Sequence, residues 1–339
     1  MYDVEIVGTG SFVPENRVTN EDISKFVDTS DEWISERTGI KERRISISEN
    51  TSDLAFMAAR RALDDAGISP EEVDLIILAT ITPDYFFPST ACLVQAKLGA
   101  HKATSFDISA ACSGFIFGLT VAEQFINTGV YQTVLVIGAE VLSKIVDWND
   151  RSTSVLFGDG AGAAVLKRGK QGIISRVTGC DGSGAASLAC PAVPLKNAFC
   201  DFSQEKANVL TMNGREIFKF AVKIMPECVE KVLEDSGHSI DEIRYIIPHQ
   251  ANIRLVDAAV KKLQINQEKV YINIQRFGNT SGASIALALD EMSRGGLLRN
   301  GDLLILVGFG SGLTYGAMLL KWTKEGNDNG EEKNDAKKD

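Results

Sequence analysis

Residues 62–77 read Ala-Leu-Asp-Asp-Ala-Gly-Ile-Ser-Pro-Glu-Glu-Val-Asp-Leu-Ile-Ile, and the pattern returns without a gap at residues 232–247, Val-Leu-Glu-Asp-Ser-Gly-His-Ser-Ile-Asp-Glu-Ile-Arg-Tyr-Ile-Ile. Each copy predicts a helix end, a glycine stop, an acidic turn and a buried strand. Residues 155–162 and 306–312 form a second, glycine-rich pair that also runs on into an apolar strand. Since an internal repeat outweighs any local motif, the sequence predicts duplicated α/β halves related by a pseudo-dyad.

Cys112 lies in the run Asp107-Ile-Ser-Ala-Ala-Cys-Ser-Gly114, between an apolar stretch and the helix-like residues 115–126. This arrangement predicts a sharp strand-to-helix turn with the sulfur at the helix start, where unpaired N–H groups and the helix dipole stabilise a thiolate. The small neighbours leave room for an acyl group. From this run alone, a nucleophile and a buried structural cysteine are equally good interpretations.

Two later polar residues occupy the same kind of position. His249 comes directly after a strand-like run, in Ile246-Ile-Pro-His-Gln-Ala-Asn252, and Asn279 opens a small-residue turn before the helix-like residues 285–292. Taken singly, each is more commonly a structural residue. Active sites of α/β proteins, however, collect at the carboxyl ends of strands. We expect Cys112 and Asn279 at roughly corresponding places in the two halves, with their helix starts face to face.

The motifs around these residues resemble those of β-ketoacyl-[acyl carrier protein] synthase III, the initiating condensing enzyme of dissociated fatty-acid synthesis. They are Cys-Ser-Gly-Phe, Pro-His-Gln-Ala-Asn, Gly-Asn-Thr-Ser-Gly-Ala-Ser and Gly-Phe-Gly-Ser-Gly-Leu-Thr-Tyr-Gly, in that order. The resemblance extends from about Tyr2 to Trp322. It implies a thiolase-like fold layered αβαβα, with halves at residues 1–170 and 171–324. Residues 325–339 have almost no apolar side chain and are expected to form a disordered tail.

A cysteine nucleophile suits thioesters, because a thiolate both attacks and leaves them readily. The resemblance implies that Cys112 takes an acyl group from coenzyme A, with backbone N–H groups of Cys112 and Ser311 stabilising the oxyanion. Many relatives carry glycine where Ser311 stands, and the donor survives if positive φ is not required there. Neutral His249 and Asn279 would then assist decarboxylation of malonyl-acyl carrier protein. Hydroxymethylglutaryl-CoA synthases use a glutamate upstream of the cysteine, and none occurs between Val73 and Cys112.

The resemblance also assigns residues to substrate binding. Trp33, Arg37 and Arg151 are expected around the adenine and phosphates of coenzyme A. The segment 31–39 by itself predicts only an amphipathic helix with a buried tryptophan. Phe87 matches a position that closes the acyl pocket across a homodimer interface, which favours a short primer, although an interface aromatic without that role is nearly as good an interpretation. Weaker assignments to the pantetheine channel are Gly214, Phe218 and Asn252.

Composition restricts the other possibilities. The chain has 339 residues, 44% hydrophobic, with no apolar run long enough for a membrane span and no signal peptide at its start. Its six cysteines are expected to be free thiols in a reducing cytoplasm. Cys180, Cys190 and Cys200 lack the pairing of a metal site. The Gly-Thr-Gly at residues 8–10 is followed by Val13 where a dinucleotide fingerprint needs glycine. No metal or cofactor is therefore expected.

The net charge of −10 argues against nucleic acid as a partner. The acidic carrier protein that the resemblance implies needs a local basic patch. A helix predicted at 251–263 brings Arg254, Lys261 and Lys262 to one face, and Arg215 and Lys219 form a second pair. We interpret these residues as a docking surface; a solvated basic face is the ordinary alternative.

Two alternative functions remain open. One is a related synthase or acyltransferase of secondary metabolism that loads a different starter. The other is a catalytically silent partner subunit, against which the intact Cys112, His249 and Asn279 argue.

Overall fold

The computed structural model describes residues 3–169, 171–195, 197–199 and 209–324. The predicted tail at 325–339 lies outside the described residues. The strands are β1 Asp3–Phe12, β2 Arg17–Thr19, β3 Glu42–Arg44, β4 Leu75–Ala79, β5 Thr104–Ile108, β6 Thr133–Glu140, β7 Gly160–Gly169, β8 Ile173–Cys180, β9 Leu188–Ala189, β10 Thr211–Met212, β11 Ile243–Pro248, β12 Leu303–Gly310 and β13 Thr314–Lys321. The helices are α1 Asn20–Ile23, α2 Asp31–Thr38, α3 Thr51–Ala66, α4 Thr90–Leu98, α5 Gly114–Asn127, α6 Arg151–Ser154, α7 Gly214–Ser236, α8 Ile253–Leu263, α9 Ile274–Phe277 and α10 Ser284–Arg294.

The two larger sheets have corresponding strand orders. The first runs β1-β7-β6-β4-β5 and the second runs β8-β13-β12-β11. Where β5 lies beside β4 in the first sheet, Val270 makes a parallel bridge to Ile246 of β11 in the second. The duplication predicted from the sequence is confirmed. The boundary between the halves at residue 170 stays a prediction; β7 ends at Gly169 and β8 begins at Ile173.

Both faces of the first sheet are buried against helices. Successive strand residues point to opposite sides, so neighbouring residues of one strand enter different cores. Ile76 and Leu78 of β4 pack with α3 and α4 on the outer face. Leu75 and Ile77 point the other way, into a core that contains α5 and α10.

The second sheet alternates in the same manner. Leu304 and Leu306 of β12 enter the core shared with α5 and α10, while Ile305 and Val307 face α7 and α8. The layers are therefore helix, sheet, helix, sheet, helix, as predicted, and α5 and α10 form the central layer.

The repeated segments adopt the predicted local structure. Helices α3 and α7 end at Gly67 and Gly237, with φ of 64° and 73°. Both values are in the left-handed region that glycine adopts at little cost. The short 3-10 helices Pro70–Glu72 and Ile240–Glu242 follow, each with a serine–glutamate capping box, and lead into β4 and β11.

The Gly-Thr-Gly near the start of the chain serves helix packing. It lies inside β1. A Cβ atom on Gly8 would be 2.5 Å from the carbonyl oxygen of Ala62, and one on Gly10 would be 2.3 Å from that of Ala58. These glycines therefore let α3 lie directly against β1, a role unrelated to nucleotide binding.

Candidate active site

Cys112 lies in the short 3-10 helix Ala111–Ser113, which joins β5 to α5. The turn is tight enough to place Ala111 at a φ of 46°. Gly310, at the end of β12, packs on this turn from the other half: a Cβ atom there would lie 2.6 Å from the backbone nitrogen of Cys112. Cys112 is thus held in place by both halves of the molecule and is only 6% exposed.

The second half contains a matching turn, Ser281–Ala283, which leads into α10. Ser281 has a φ of 48°, nearly that of Ala111. By the offset of the repeat, Cys112 corresponds to Gly282. Asn279 lies three residues before that position, so it corresponds to Cys112 only roughly, as expected, and the two helix starts meet.

The two turns pack reciprocally around the pseudo-dyad. Gly138 of β6 lies against the second-half turn, because a Cβ atom there would be 2.2 Å from the carbonyl oxygen of Gly282. Its repeat equivalent, Gly308 of β12, lies against the first-half turn, where the distance to the carbonyl oxygen of Cys112 is 3.5 Å. Each half therefore supports the helix start of the other.

His249 follows β11 and is held on three sides. Its backbone N–H donates to the carbonyl of Val307 at 2.8 Å, and its Nδ1 lies 2.7 Å from the hydroxyl oxygen of Ser284. The Phe309 ring meets the imidazole edge-on, with centroids 5.6 Å apart. Burial lowers the pKa of His249 to about 3, so the imidazole is neutral at physiological pH, the form expected for a hydrogen-bond donor at this position.

Asn279 is fixed through its backbone and its side chain. Its N–H donates to Leu156 and its carbonyl accepts from Gly158, at 2.9 and 3.0 Å. Its Oδ1 accepts from the backbone N–H of Ser281 at 2.8 Å. Because this bond identifies the amide oxygen of Asn279, the other amide atom is the NH2 group, which can donate a hydrogen bond to a substrate.

The three predicted catalytic residues line one cavity of about 120 Å³. The predicted pantetheine-channel residues line it too: Gly214, Phe218 and Asn252. Asn252 has a second contact, since its Oδ1 accepts from the N–H of Arg254 at 2.9 Å and caps α8. Helix α8 accordingly begins at Ile253, two residues later than predicted.

The start of the helix is one of several influences on the protonation state of Cys112. Burial raises the pKa of the Cys112 thiol to about 12, the neighbouring Ser281 hydroxyl lowers this pKa, and the charge of Glu140 raises it further. The desolvation of a nearly enclosed sulfur outweighs the favourable end of α5. The thiol is the resting form, and its proton must leave as the thioester is attacked.

Glu140 is a buried carboxyl beside this turn. It accepts hydrogen bonds from Thr80 Oγ1 at 3.1 Å and Thr82 Oγ1 at 2.6 Å, and from the N–H of Ile81 at 3.1 Å. Burial nevertheless raises its pKa to about 7. Glu140 corresponds to Gly310 in the repeat, so the pseudo-dyad is broken at the site by a carboxyl on one side and a glycine on the other.

Ser311, predicted as an oxyanion donor, follows Gly310 directly. Ser311 is not among the residues with positive φ, so the condition stated for a serine at this position is met. Thr314 ties this turn to the nucleophile, because its hydroxyl lies 2.9 Å from the carbonyl of Ala110 and 3.0 Å from that of Ser311. The donor role of Ser311 stays a prediction.

The residues expected to bind coenzyme A form one cluster. The guanidinium carbons of Arg37 and Arg151 each lie 4.9 Å from the centre of the Trp33 ring. Arg151 also donates to the carbonyl of Asp28 at 2.9 Å. An amphipathic helix at residues 31–39 therefore does not by itself explain the two arginines around Trp33, since Arg151 belongs to a different helix.

Phe87 lies away from the cavity of its own chain. Its side chain is 85% exposed and adjoins Tyr85 and Phe86, at 60% and 77%. Three adjacent exposed aromatics are typical of a contact surface. The role of Phe87 in an acyl pocket stays a prediction.

The predicted basic residues lie on α7 and α8, and all are exposed. Two of them have partners within the chain: Lys219 pairs with Glu216 at 2.8 Å, and the Nε of Arg254 donates to the carbonyl of Glu36 at 3.2 Å. Lys261 and Lys262 occupy the last turn of α8.

Four residues at the site were not predicted from the sequence: Glu140, Ser281, Ser284 and Phe309. Three of them belong to motifs quoted for the resemblance, and Ser281 and Ser284 could have been found from their spacing after Asn279. Glu140 is recognisable only from the repeat, as the counterpart of Gly310.

No described helix is both long and apolar enough to cross a bilayer. Among the residues with described positions, no three histidine, cysteine or acidic side chains come together as metal ligands. Cys200, one of the evenly spaced cysteines, lies outside that part of the chain.

Comparisons with known proteins agree with this geometry. The family model for 3-oxoacyl-[acyl-carrier-protein] synthase III matches residues 106–182, and the model for its C-terminal part matches residues 233–322. β-Ketoacyl-[acyl-carrier-protein] synthase III of Clostridium acetobutylicum is 60% identical over 96% of this chain and 100% of the relative.

Solved structures give the same result. That of 3-oxoacyl-[acyl-carrier-protein] synthase III from Aquifex aeolicus is 50% identical, with a TM-score of 0.89 over 94% of this chain and 100% of the other. The priming β-ketosynthase of the R1128 polyketide pathway is 36% identical, with a TM-score of 0.87 over 95% and 97%. The chain therefore belongs to the β-ketoacyl-[acyl carrier protein] synthase III family, within the thiolase-like superfamily.

Proposed function

We propose that the protein transfers a short acyl group from acyl-coenzyme A to Cys112 and condenses it with malonyl-acyl carrier protein. The observation that carries this proposal is one cavity lined by Cys112, His249 and Asn279, in which the two polar side chains are held by hydrogen bonds to Ser284 and to the N–H of Ser281. The product is 3-ketoacyl-acyl carrier protein, which initiates fatty acid synthesis.

In the first step the sulfur of Cys112 attacks the thioester carbonyl. A sulfur–acyl bond forms, the bond to the coenzyme A sulfur breaks, and the proton of the Cys112 thiol ends on the departing coenzyme A. The backbone N–H groups of Cys112 and Ser311 stabilise the oxyanion. The close packing of Gly310 on the nitrogen of Cys112 supports this pairing, since it brings the two peptides side by side.

In the second step the malonyl thioester loses carbon dioxide. The electron pair of the broken carbon–carbon bond forms a new bond to the acyl carbon, and Cys112 leaves as a thiolate that takes a proton from solvent. Negative charge develops on the malonyl thioester oxygen, where His249 and the NH2 group of Asn279 donate hydrogen bonds. No strong base is needed, because decarboxylation itself generates the nucleophile. Neither step changes the oxidation state of the protein, and the two steps as written need only the residues named.

Coenzyme A enters past Trp33, Arg37 and Arg151. A purine stacked between Trp33 and one guanidinium needs about 3.5 Å on each face, or about 7 Å in total. Since each guanidinium carbon lies 4.9 Å from the ring centre, one arginine must move aside when the base stacks. Gly214, Phe218 and Asn252 contact the pantetheine arm that reaches Cys112, a role supported by their place in the cavity wall.

The carrier protein docks on Arg215, Lys219, Arg254, Lys261 and Lys262. Their exposure on two neighbouring helices supports this assignment, because long-range attraction steers an acidic partner. The protein works as a homodimer through the exposed surface around Phe87. A reducing cytoplasm is its expected location, in keeping with free Cys92 and Cys180 at the surface.

The primer is short. The cavity at Cys112 is lined by the bulky side chains of Phe157, Phe218 and Phe309, and the pantetheine thiol occupies part of it, which supports a short acyl group. A starter-loading enzyme of secondary metabolism is the alternative to which the R1128 relative points. A catalytically silent subunit is disfavoured by the complete and well-positioned set of Cys112, His249 and Asn279.

Reconstitution tests the proposal. The protein, malonyl-acyl carrier protein and acetyl-, isobutyryl- or hexanoyl-coenzyme A are combined, and the carrier is examined by mass spectrometry with free coenzyme A measured in parallel. We expect a 3-ketoacyl carrier and one coenzyme A per product with the short primers. Coenzyme A release without a 3-ketoacyl carrier would contradict the condensation, and turnover of hexanoyl-coenzyme A alone would favour the starter-loading alternative.

A further inference from the structure

We propose that Ser284 is a positioning residue that holds His249 in the tautomer with the proton on Nε2. Both side chains are almost fully buried, at 2% and 1% exposure, and Ser284 Oγ lies 2.7 Å from Nδ1 of His249. A neutral imidazole has one donor and one acceptor nitrogen. Which nitrogen holds the proton is decided by the hydrogen bond of the other.

The direction of this bond follows from the remaining partners of the hydroxyl. The backbone N–H of Gln250 donates to Ser284 Oγ at 3.4 Å, so the oxygen already accepts. Within the described part of the chain, Nδ1 of His249 is the one acceptor in reach of the hydroxyl proton. Ser284 therefore donates to Nδ1, and the imidazole proton resides on Nε2.

The internal repeat offers an independent comparison. At the repeat offset, His249 and Ser284 correspond to Ala79 and Gly114 of the first half. These two positions also touch, since a Cβ atom on Gly114 would lie 2.9 Å from the Cβ of Ala79. The fold thus brings the pair together in both halves, but only the second half equips it with side chains that can share a proton. A purely structural contact needs no such pair, as the first half demonstrates.

The consequence for the reaction rests on the proposed function. An Nε2–H directed into the cavity can donate to the malonyl thioester oxygen, whereas the other tautomer would present a lone pair and repel the developing charge. Ser284 does not reach the reacting atoms. Its effect should be confined to decarboxylation, because acyl transfer to Cys112 uses backbone donors.

The wild-type tautomer is the first test. The chain has three histidines, so nitrogen-15 labelling of histidine gives few ring signals, and the His249 signals are those lost in His249→Gln. We expect a protonated Nε2 and an unprotonated Nδ1 in His249. A protonated Nδ1 would overturn the proposal whether or not the enzyme condenses acyl groups.

The second test compares Ser284→Ala with Ser175→Ala. Ser175 is a matched control, a buried serine whose hydroxyl makes one hydrogen bond of 2.6 Å, to Val232, in the outer part of the second half. In Ser284→Ala we expect mixed His249 tautomers. Carbon dioxide release should fall by at least about tenfold and by no more than the roughly 100- to 1000-fold cost of an oxyanion donor, with acyl loading unchanged within about twofold. The control should keep both rates.

Several outcomes would reject the role of Ser284. These are unchanged decarboxylation in a folded Ser284→Ala protein, equal losses in both steps, and an unaltered His249 spectrum. The variant Ser284→Thr keeps a hydroxyl and should recover the Nε2–H tautomer. If wild type shows this tautomer but releases no carbon dioxide from malonyl carrier, the proposed function fails while the positioning role stands.

Discussion

The neutral state of His249 gives a quantitative prediction about pH. An ordinary histidine has a pKa of about 6.5, whereas burial lowers the pKa of His249 to about 3. The unfolded chain therefore takes up a proton at this residue below pH 6.5, and the folded protein does so only near pH 3. Because the unfolded state binds more protons in that window, stability falls as the pH falls.

The magnitude follows from the two pKa values. A pH of 5 is 1.5 units below the pKa of the unfolded histidine, while the folded histidine is still neutral. At 1.36 kcal/mol per unit, this lowers the free energy of unfolding by about 2 kcal/mol. At pH 7.5 the cost is close to zero. The variant His249→Gln lacks the titrating group. Its free energy of unfolding relative to wild type should therefore rise by about 2 kcal/mol between pH 7.5 and pH 5.

Urea denaturation of both proteins at the two pH values measures this difference. The ring signals of His249 in labelled protein measure the same property directly and should not shift between pH 8 and pH 5. A His249 signal that titrates near pH 6.5, or a stability difference equal at both pH values, would refute the neutral buried imidazole.

Three further predictions concern the reaction. His249→Ala and Asn279→Ala should each lower carbon dioxide release from malonyl carrier by roughly 100- to 1000-fold while acyl loading partly survives; equal losses in both steps would show that the roles are divided wrongly. Alkylation of Cys112 by iodoacetamide should keep accelerating from pH 7 to pH 9.5, because burial raises its thiol pKa to about 12, and a plateau near pH 7 would indicate a stabilised thiolate instead. Arg254→Glu combined with Lys261→Glu should raise the KM for the carrier and weaken its salt dependence, since exposed charges are screened within about 8 Å. Loading from coenzyme A should be nearly unchanged, and Arg299→Glu, at an exposed position before β12, should leave the carrier KM as it is.

The repeat made the architecture predictable from the sequence. A helix end, a glycine and an acidic turn recur in register, and these local signals depend on residues close together in the chain. The αβαβα layering followed from the resemblance. The offset of the repeat pairs Cys112 with Gly282, three residues after Asn279, and the positive φ shared by Ala111 and Ser281 agrees with this pairing.

The electrostatics of the site could not be predicted in the same way. The sequence puts Cys112 at a helix start, which favours a thiolate, but the thiol pKa depends on how completely two distant segments enclose the sulfur. The contact of Ser284 with His249 likewise depends on how α10 settles against β11. Composition and spacing carry no information about such burial.

Intact-mass measurement after incubation with acetyl-coenzyme A tests the central claim, that Cys112 receives the acyl group. We expect one added acetyl group in the wild type and in Cys228→Ala, which removes another buried cysteine, and none in Cys112→Ala. An acetyl adduct on the Cys112→Ala protein, or an adduct of the wild type that peptide mapping assigns to a different cysteine, would contradict the account.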